Sequence, residues 1–379
     1  MTAVYLKEEH HIFRESVRKF VDKEVRPYFR EWEKAGSTPR SLWEKMGEQG
    51  FLVPWADEKY GGFNADFAYD VILAEEFEKV GSGLAGTVLH NVIVVPYIYN
   101  FGTEEQREKW IPKCITGEYS TAVAMTEPGA GSDLANIQTR AVRSGDHYIV
   151  NGEKTFISNG KRSDLVVVAC KTNPEAGHRG ISLLVVEEGT PGFKRGKKLD
   201  KIGQFAGETC ELIFEDAMVP ASNLIGEENK GFYYLMAKLQ QERLICSVQA
   251  QAAAEESLRQ TIEYVKQRTA FGKSIGEFQN TQFKIAEMAT EVQLGRTFLD
   301  DLIAKHMEGK DVVTQVSMSK WWITDMVKRV VGQCMQLHGG YGFMEEYAIA
   351  RRYRDVAVMS IYAGTNEIMK QIIAKKIGL

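Results

Sequence analysis

The chain lacks the cysteine pattern of a stapled or metal-bound protein. Its five cysteines, Cys114, Cys170, Cys210, Cys246 and Cys334, are scattered, odd in number and never spaced as Cys-x-x-Cys. That argues against a disulfide framework and a zinc site, and it fits a reducing, cytoplasmic setting; no metal is expected. A strong charge of either sign is also missing. The net charge of −4 gives no reason to expect nucleic acid or an anionic membrane as partner. No apolar run reads as long enough to span a bilayer. The segment Met1-Thr2-Ala3-Val4-Tyr5-Leu6-Lys7-Glu8-Glu9-His10 has no basic region ahead of an apolar run, so it is no signal peptide, and it is too acidic for a transit peptide. Internal repeats and low-complexity segments are absent as well. What remains is an ordinary globular composition, 44% hydrophobic and 26% charged, in 379 residues, enough for two or three packed units.

The texture changes twice along the chain. Residues 1–116 read as helical. Glu9 to Val25 places Ile12, Phe13, Val17, Phe20 and Val21 on one face. Asp66 to Val80 has a similar stripe through Phe67, Val71 and Ala74, with Glu75, Glu76 and Glu78 mostly off it. Thr103 with Gln106 reads as a capped helix start. From 117 to 230, short β-type runs alternate with turn residues. Leu165 to Ala169, Ile181 to Val186 and Cys210 to Phe214 are strand candidates, and Asn151-Gly152 reads as a hairpin turn. This is expected to be a compact antiparallel, barrel-like β-domain. From 231 to 379, long amphipathic segments at about 231–267, 277–308, 312–337 and from Asn366 onward suggest a four-helix bundle. The fold class is α+β.

Two motifs carry chemistry. Ala124-Met125-Thr126-Glu127-Pro128-Gly129-Ala130-Gly131-Ser132-Asp133 sets two glycines and a proline in a polar loop. Glycines let backbone amides approach a ligand, and the hydroxyls can hydrogen-bond it. Read alone, it is equally a plain tight loop. It is no dinucleotide fingerprint, since Gly129-x-Gly131 lacks a third glycine and a strand-turn-helix setting. The second motif is Ile361-Tyr362-Ala363-Gly364-Thr365-Asn366-Glu367-Ile368, shortly after Tyr353-Arg354-Asp355. Together they resemble the acyl-CoA dehydrogenase family, over essentially the whole chain. The resemblance implies the same α, β, helical-bundle order, FAD as cofactor and an acyl-CoA as substrate. It further implies an electron-transfer flavoprotein as acceptor and a homotetramer, at least a dimer.

The same resemblance assigns residues. Met125 and Thr126 neighbour the isoalloxazine ring, and Ser132 meets both cofactor and CoA thioester. Phe156-Ile157-Ser158 lies against the flavin, with Phe156 where many relatives have Trp and Ser158 donating to flavin N5. Arg268, within Lys266-Gln267-Arg268-Thr269-Ala270-Phe271-Gly272, ends a helix with good C-capping chemistry on its own. The resemblance puts it, with Phe271, on the FAD of a neighbouring subunit, where a guanidinium suits pyrophosphate. Gln279, Gln336, Gly339 and Gly340 contact the same cofactor, and Thr365 and Glu367 hold its adenosine end.

One departure matters most. Many relatives carry, just before the Gly-Thr pair, a Glu that removes the substrate's α-proton; here Ala363 stands there. The candidate replacement is Glu242, in Leu239-Gln240-Gln241-Glu242-Arg243-Leu244, whose face is largely apolar, as a desolvated base requires. On its own, a Glu-Arg pair on a helix is usually a solvated face. The long-chain and isovaleryl enzymes, however, use a Glu before an Arg here and a small residue at the vacated position. Glu242 is therefore expected to be the base. Tyr233, Gln240 and Arg243 are expected near the substrate, and the Ala363 or Gly364 amide on its carbonyl. Gly81 to Val95 would form part of the pocket wall, with no role assigned to His90. A small residue at 363 would admit long, branched or cyclic acyl groups. The alternatives are a relative that has lost dehydrogenation, such as a desulfinase of a sulfinated acyl-CoA, an oxygen-using oxidase, or a flavin-free CoA-binding scaffold.

Overall fold

The computed structural model describes residues 3–379, with Ala85 by its backbone alone. Seven helices come first: α1 (Glu8–Phe20), α2 (Phe29–Ala35), α3 (Arg40–Glu48), α4 (Phe67–Glu78), α5 (Ala85–Val88), α6 (Val95–Phe101) and α7 (Glu104–Thr116). The capping box that opens α7 forms as expected. The Gln106 amide N–H donates to Thr103 Oγ1 at 3.3 Å, and the Thr103 amide to Gln106 Oε1 at 3.0 Å.

Helix α4 departs from its expected half-exposed pattern. It is buried nearly all round, Glu75, Glu76 and Glu78 included. These acids are neutralised by residues distant in sequence. Glu75 pairs with Arg14 at 2.7 Å and Arg296 at 2.8 Å, Glu76 with Arg14 at 2.9 Å, and Glu78 with Arg352 at 3.2 Å. Helical periodicity sees only one helix, so it could not anticipate partners from α1 and from the C-terminal helices.

The expectation that no segment has the length and hydropathy of a bilayer span is corrected. Ser82–Phe101 is long and apolar enough over its 20 residues. Most of it is buried within the protein, and it is broken into 3₁₀, α, π and α pieces. Its polar residues are hydrogen-bonded inside. His90 lies between Thr121 Oγ1 (2.9 Å) and the Cys114 carbonyl (3.1 Å), and Asn91 donates to the Phe51 carbonyl and to Asp70. This is a core segment that happens to be apolar.

The central sheet comprises β1 (Thr121–Ala124), β2 (Arg140–Ser144), β3 (His147–Ser158), β4 (Leu165–Lys171), β5 (Ile181–Glu187), β6 (Phe193–Lys198), β7 (Thr209–Pro220) and β8 (Leu224–Ile225). Its order is β6-β7-β3-β2-β4-β5-β8, with β1 against β4. The pairing is mainly antiparallel, but β1–β4 and the single β2–β4 bridge are parallel, so the sheet is mixed. Asn151-Gly152 does not turn the chain. It lies inside β3 at a register shift against β7, with Gly152 at φ 146° and Thr139 where a side chain would go. The Asn-Gly pair makes a bulge here, and the β2–β3 hairpin turns at Gly145-Asp146 instead.

The chain then enters α8 (Gly231–Gln267), a short hairpin of β9 (Thr269–Ala270) and β10 (Lys273–Ser274), α9 (Gln279–Met307), α10 (Val313–His338), α11 (Ala348–Asp355) and α12 (Asn366–Lys376). Three of these helices are long, whereas α12 has 11 residues. Leu244, Val248, Leu299, Met326 and Val327 form the bundle core, with Val71 and Ala74 of α4 packed into it. Helix α8 thus carries one face into the bundle and another toward α4 and α6.

Arg352→Leu should test the α4 anchoring. It leaves Glu78 buried without its cation, which costs about 3–5 kcal/mol. The expected result is a clear fall in Tm; an unchanged Tm would contradict the assigned role of the pair.

Candidate active site

Glu242 projects from α8 into a site walled by α6. It is 3% exposed, and Tyr97, itself fully buried, donates its hydroxyl to Glu242 Oε1 at 2.5 Å. Burial pushes the carboxyl up to about 7, against the lowering pull of Tyr97, Arg243 and Lys238. A carboxylate held near neutrality in a dry site has the properties of a general base.

Ala363 and Gly364 stand in consecutive left-handed conformations, φ 52° and 88°. An alanine at positive φ is uncommon, so the surroundings must hold the turn. Lys320 of α10 does so: fully buried, it donates to the Gly364 carbonyl at 2.7 Å and to Asn366 Oδ1 at 3.3 Å. Asn366 in turn donates to Asp325 at 3.0 Å and to the Trp321 carbonyl at 3.1 Å. The Thr365 hydroxyl caps α12 through the Ile368 amide at 3.4 Å, and Glu367 is exposed in its first turn. Arg243 sits on the same side. Its Nη2 lies 3.8 Å from where a Gly364 β-carbon would stand.

Met125 and Thr126 leave the end of β1, and their carbonyls are tied to β3. Lys154 Nζ donates to Met125 O at 2.9 Å, and the Thr155 amide to Thr126 O at 3.0 Å. Lys154, fully buried, also pairs with Glu127 at 2.8 Å. Glu127 further accepts from the amides of Gln138 at 2.5 Å and Thr139 at 3.0 Å. These contacts hold its carboxyl below the usual carboxylate range despite burial. Sequence reading missed this buried pair under the loop. The one signal was a lysine at an inward position of β3 beside Thr155 and Ile157. Next to the loop, Phe156 stands at φ 60° and 68% exposed, Ile157 is buried, and the Ser158 side chain faces out. Ser132 is exposed, and a side chain at Gly129 or Gly131 would meet nothing. An exposed aromatic ring and hydroxyl beside an open, backbone-rich loop fit a flat polar ring system such as a flavin.

A second group gathers at the far end of α8. Arg268, Gln336, Gly339 and Gly340 line an open cavity of about 540 Å³ with Tyr264 and Tyr341. Phe271, at φ 52° and 97% exposed, and Gln279, exposed at the start of α9, flank the hairpin outside that cavity. None of the β-domain residues lines this cavity, nor do Thr365 and Glu367. A guanidinium in a glycine-lined cavity fits a phosphate group.

Gln240 lies two residues from Glu242, on nearly the opposite side of α8. Its amide is taken up by the Val312 N–H at 3.0 Å, His306 at 3.1 Å and the Lys310 carbonyl at 3.2 Å, tying α8 to the α9–α10 link. Tyr233 is half exposed at the start of α8. His90 is structural, as its hydrogen bonds show, and burial pushes it down to about 4. All five cysteines are buried and free.

The comparisons agree with this geometry. Sequence profiles for the N-terminal, middle and C-terminal domains of acyl-CoA dehydrogenase match residues 7–118, 122–217 and 229–378. The mitochondrial long-chain specific acyl-CoA dehydrogenase of Rattus norvegicus is 50% identical over 97% of this chain and 86% of its own length. The crystal structure of an acyl-CoA dehydrogenase from Geobacillus kaustophilus superposes with a TM-score of 0.99 at 66% identity, covering 100% of both chains. A chain solved in work on the electron transferring flavoprotein of Acidaminococcus fermentans has a TM-score of 0.95 at 37% identity, covering 99% of both. The chain belongs to the acyl-CoA dehydrogenase family, FAD-dependent oxidoreductases of acyl-CoA thioesters.

Lys154→Met would leave Glu127 buried without its cation, at about 3–5 kcal/mol. The protein should lose Tm and retain less flavin, read from the ratio of visible to protein absorbance. Full flavin retention would contradict the role given to the pair beneath the loop.

Proposed function

We propose that this enzyme desaturates a long-chain, branched or cyclic acyl-CoA between its α and β carbons, with Glu242 as the base. The observation that carries this reading is a carboxylate on α8 buried against the Tyr97 hydroxyl and pushed up to about 7, in a chain whose position 363 has no carboxylate of its own. Glu242 takes the α-proton, the C–H electrons form the new double bond, and the β-hydride departs. FAD, when bound, supplies the acceptor for that hydride. The amides around Ala363 and Gly364 hold the thioester carbonyl, and Tyr97 holds Glu242 in place. Tyr233 and Arg243 border the acyl-CoA, and Ser132 meets its thioester end. Met125, Thr126, Phe156, Ile157 and Ser158 hold the flavin ring, and Thr365 and Glu367 serve the adenosine end.

The Arg268 cavity supports a shared cofactor. It is separate from the ring-holding residues, so Arg268, Phe271, Gln279, Gln336, Gly339 and Gly340 would grip the FAD of a second copy. This makes the working form at least a dimer, in keeping with a homotetramer. Electrons would pass to an electron-transfer flavoprotein. The long-chain substrate class rests on the 50% identity to the rat enzyme. Five free, buried cysteines suit a reducing cytoplasm.

The flavin spectrum of the purified protein, titrated without oxygen against straight, branched and cyclic acyl-CoAs, tests the reading. Bleaching is expected, and the ranking names the acyl class. A yellow protein that none of them bleaches would favour a relative without dehydrogenation, such as a desulfinase. The pH dependence has a definite sign. The base works only when ionised, so the reduction rate should rise as pH passes through about 7. Tyr97→Phe removes a contact that lowers the Glu242 pKa, so the midpoint should move upward. A midpoint that stays fixed or falls would contradict the pairing.

A further inference from the structure

Two buried cations beside the Ala363–Gly364 turn have no carboxylate partner among the described residues. Arg243 is 6% exposed. Among the described residues its guanidinium has no ion-pair partner and no hydrogen bond, and its Nε is buried unpaired. Lys320 is fully buried, and among the described residues no carboxylate lies within ion-pair distance of it; its partners are the Gly364 carbonyl and the Asn366 amide oxygen. Burial pushes its amine down to about 8. The charged and titratable groups around them are few. Helix α8 contributes Lys238, Glu242 and Cys246, and α6 contributes Tyr97. Helix α10 contributes Asp325, already bound to Lys328 at 2.7 Å, and α12 the exposed Glu367. The Tyr362 hydroxyl is buried without a partner. Arg243 and Lys320 therefore share the buried side of the turn, and among the described residues neither has a carboxylate within ion-pair distance. An uncompensated buried charge is costly, and keeping one is explained when an anion arises beside it.

We propose that Arg243 and Lys320 form a preorganised cationic wall behind the Ala363–Gly364 turn, which stabilises the negative charge that builds on the substrate's thioester oxygen as Glu242 takes the α-proton. The inference rests on the reading of Glu242 as base. As the α-carbon–hydrogen bond breaks, its proton goes to Glu242 and its electron pair spreads onto the carbonyl oxygen. Charge that appears only during reaction is best stabilised by groups fixed beforehand. Lys320 acts through the Gly364 carbonyl. Holding it fixes the peptide that follows Gly364 and so anchors the far end of the turn, whose Ala363 and Gly364 N–H groups are the donors to the thioester oxygen in the proposed reading. Arg243 adds fixed charge beside the same turn. Both are positioning residues.

The test separates charge stabilisation from simple binding. Holoenzyme, Arg243→Gln and Lys320→Gln are titrated across pH with two ligands. One is a 3-oxoacyl-CoA, which ionises to an enolate with its own absorption. The other is an S-alkyl-CoA thioether, which has no carbonyl. Each variant should need about one pH unit more to form the bound enolate, roughly a tenfold loss. Thioether affinity should change by less than about twofold. Equal losses for both ligands, or an unshifted enolate titration, would overturn the proposal. If Lys320→Gln does not fold, Lys320→Arg is expected to keep the wild-type titration, and Arg243→Gln still decides. A wild-type flavin that no acyl-CoA bleaches would refute the proposed function instead, a different outcome from unshifted enolisation.

Discussion

The burial of Glu242 against Tyr97 is the constraint on which the site depends. A carboxylate in water is too weak a base, and too well solvated, to take a proton from carbon next to a thioester. Removing it from water raises its basicity, but an isolated buried carboxylate is costly. The Tyr97 hydroxyl and the neighbouring cations offset part of that cost without protonating it. This balance needs α6 and α8 at a fixed separation, and much of the fold secures it. The apolar Ser82–Phe101 segment packs inward, α4 is tied by arginines from three other helices, and α8 runs 37 residues through the bundle.

The same arrangement explains how position 363 can lose its carboxylate. The turn at Ala363-Gly364 persists because Lys320, Asn366 and the capped start of α12 hold it. Its shape does not depend on the side chain at 363. If the base sits on α8 as proposed, the turn keeps its backbone while the small side chain at 363 frees space beside it. That space is the physical ground for expecting bulkier acyl groups.

Much of this was legible in the sequence. The bounds of α8, the strands β4 and β5, and the Thr103 capping box follow from local periodicity and local chemistry. Glu242 stood out as the candidate base because two departures, Ala363 and the Glu-Arg pair, agreed. What local patterns could not show were contacts between distant segments. The acids of α4 were expected beside its apolar stripe because their arginines lie up to 274 residues away. The Glu127–Lys154 pair under the flavin loop was missed for the same reason. Asn151-Gly152 was misplaced because a turn-forming pair also makes a bulge when Thr139 packs against it.

The most direct measurement is α-hydrogen exchange in heavy water. A bound acyl-CoA that cannot lose a β-hydride isolates proton removal from oxidation. Wild-type protein should wash deuterium into the α position, and Glu242→Gln, with its flavin intact, should do so roughly 10²–10⁴-fold more slowly. Exchange at the wild-type rate in Glu242→Gln would mean that another group takes the proton, and the account of the relocated base would fail.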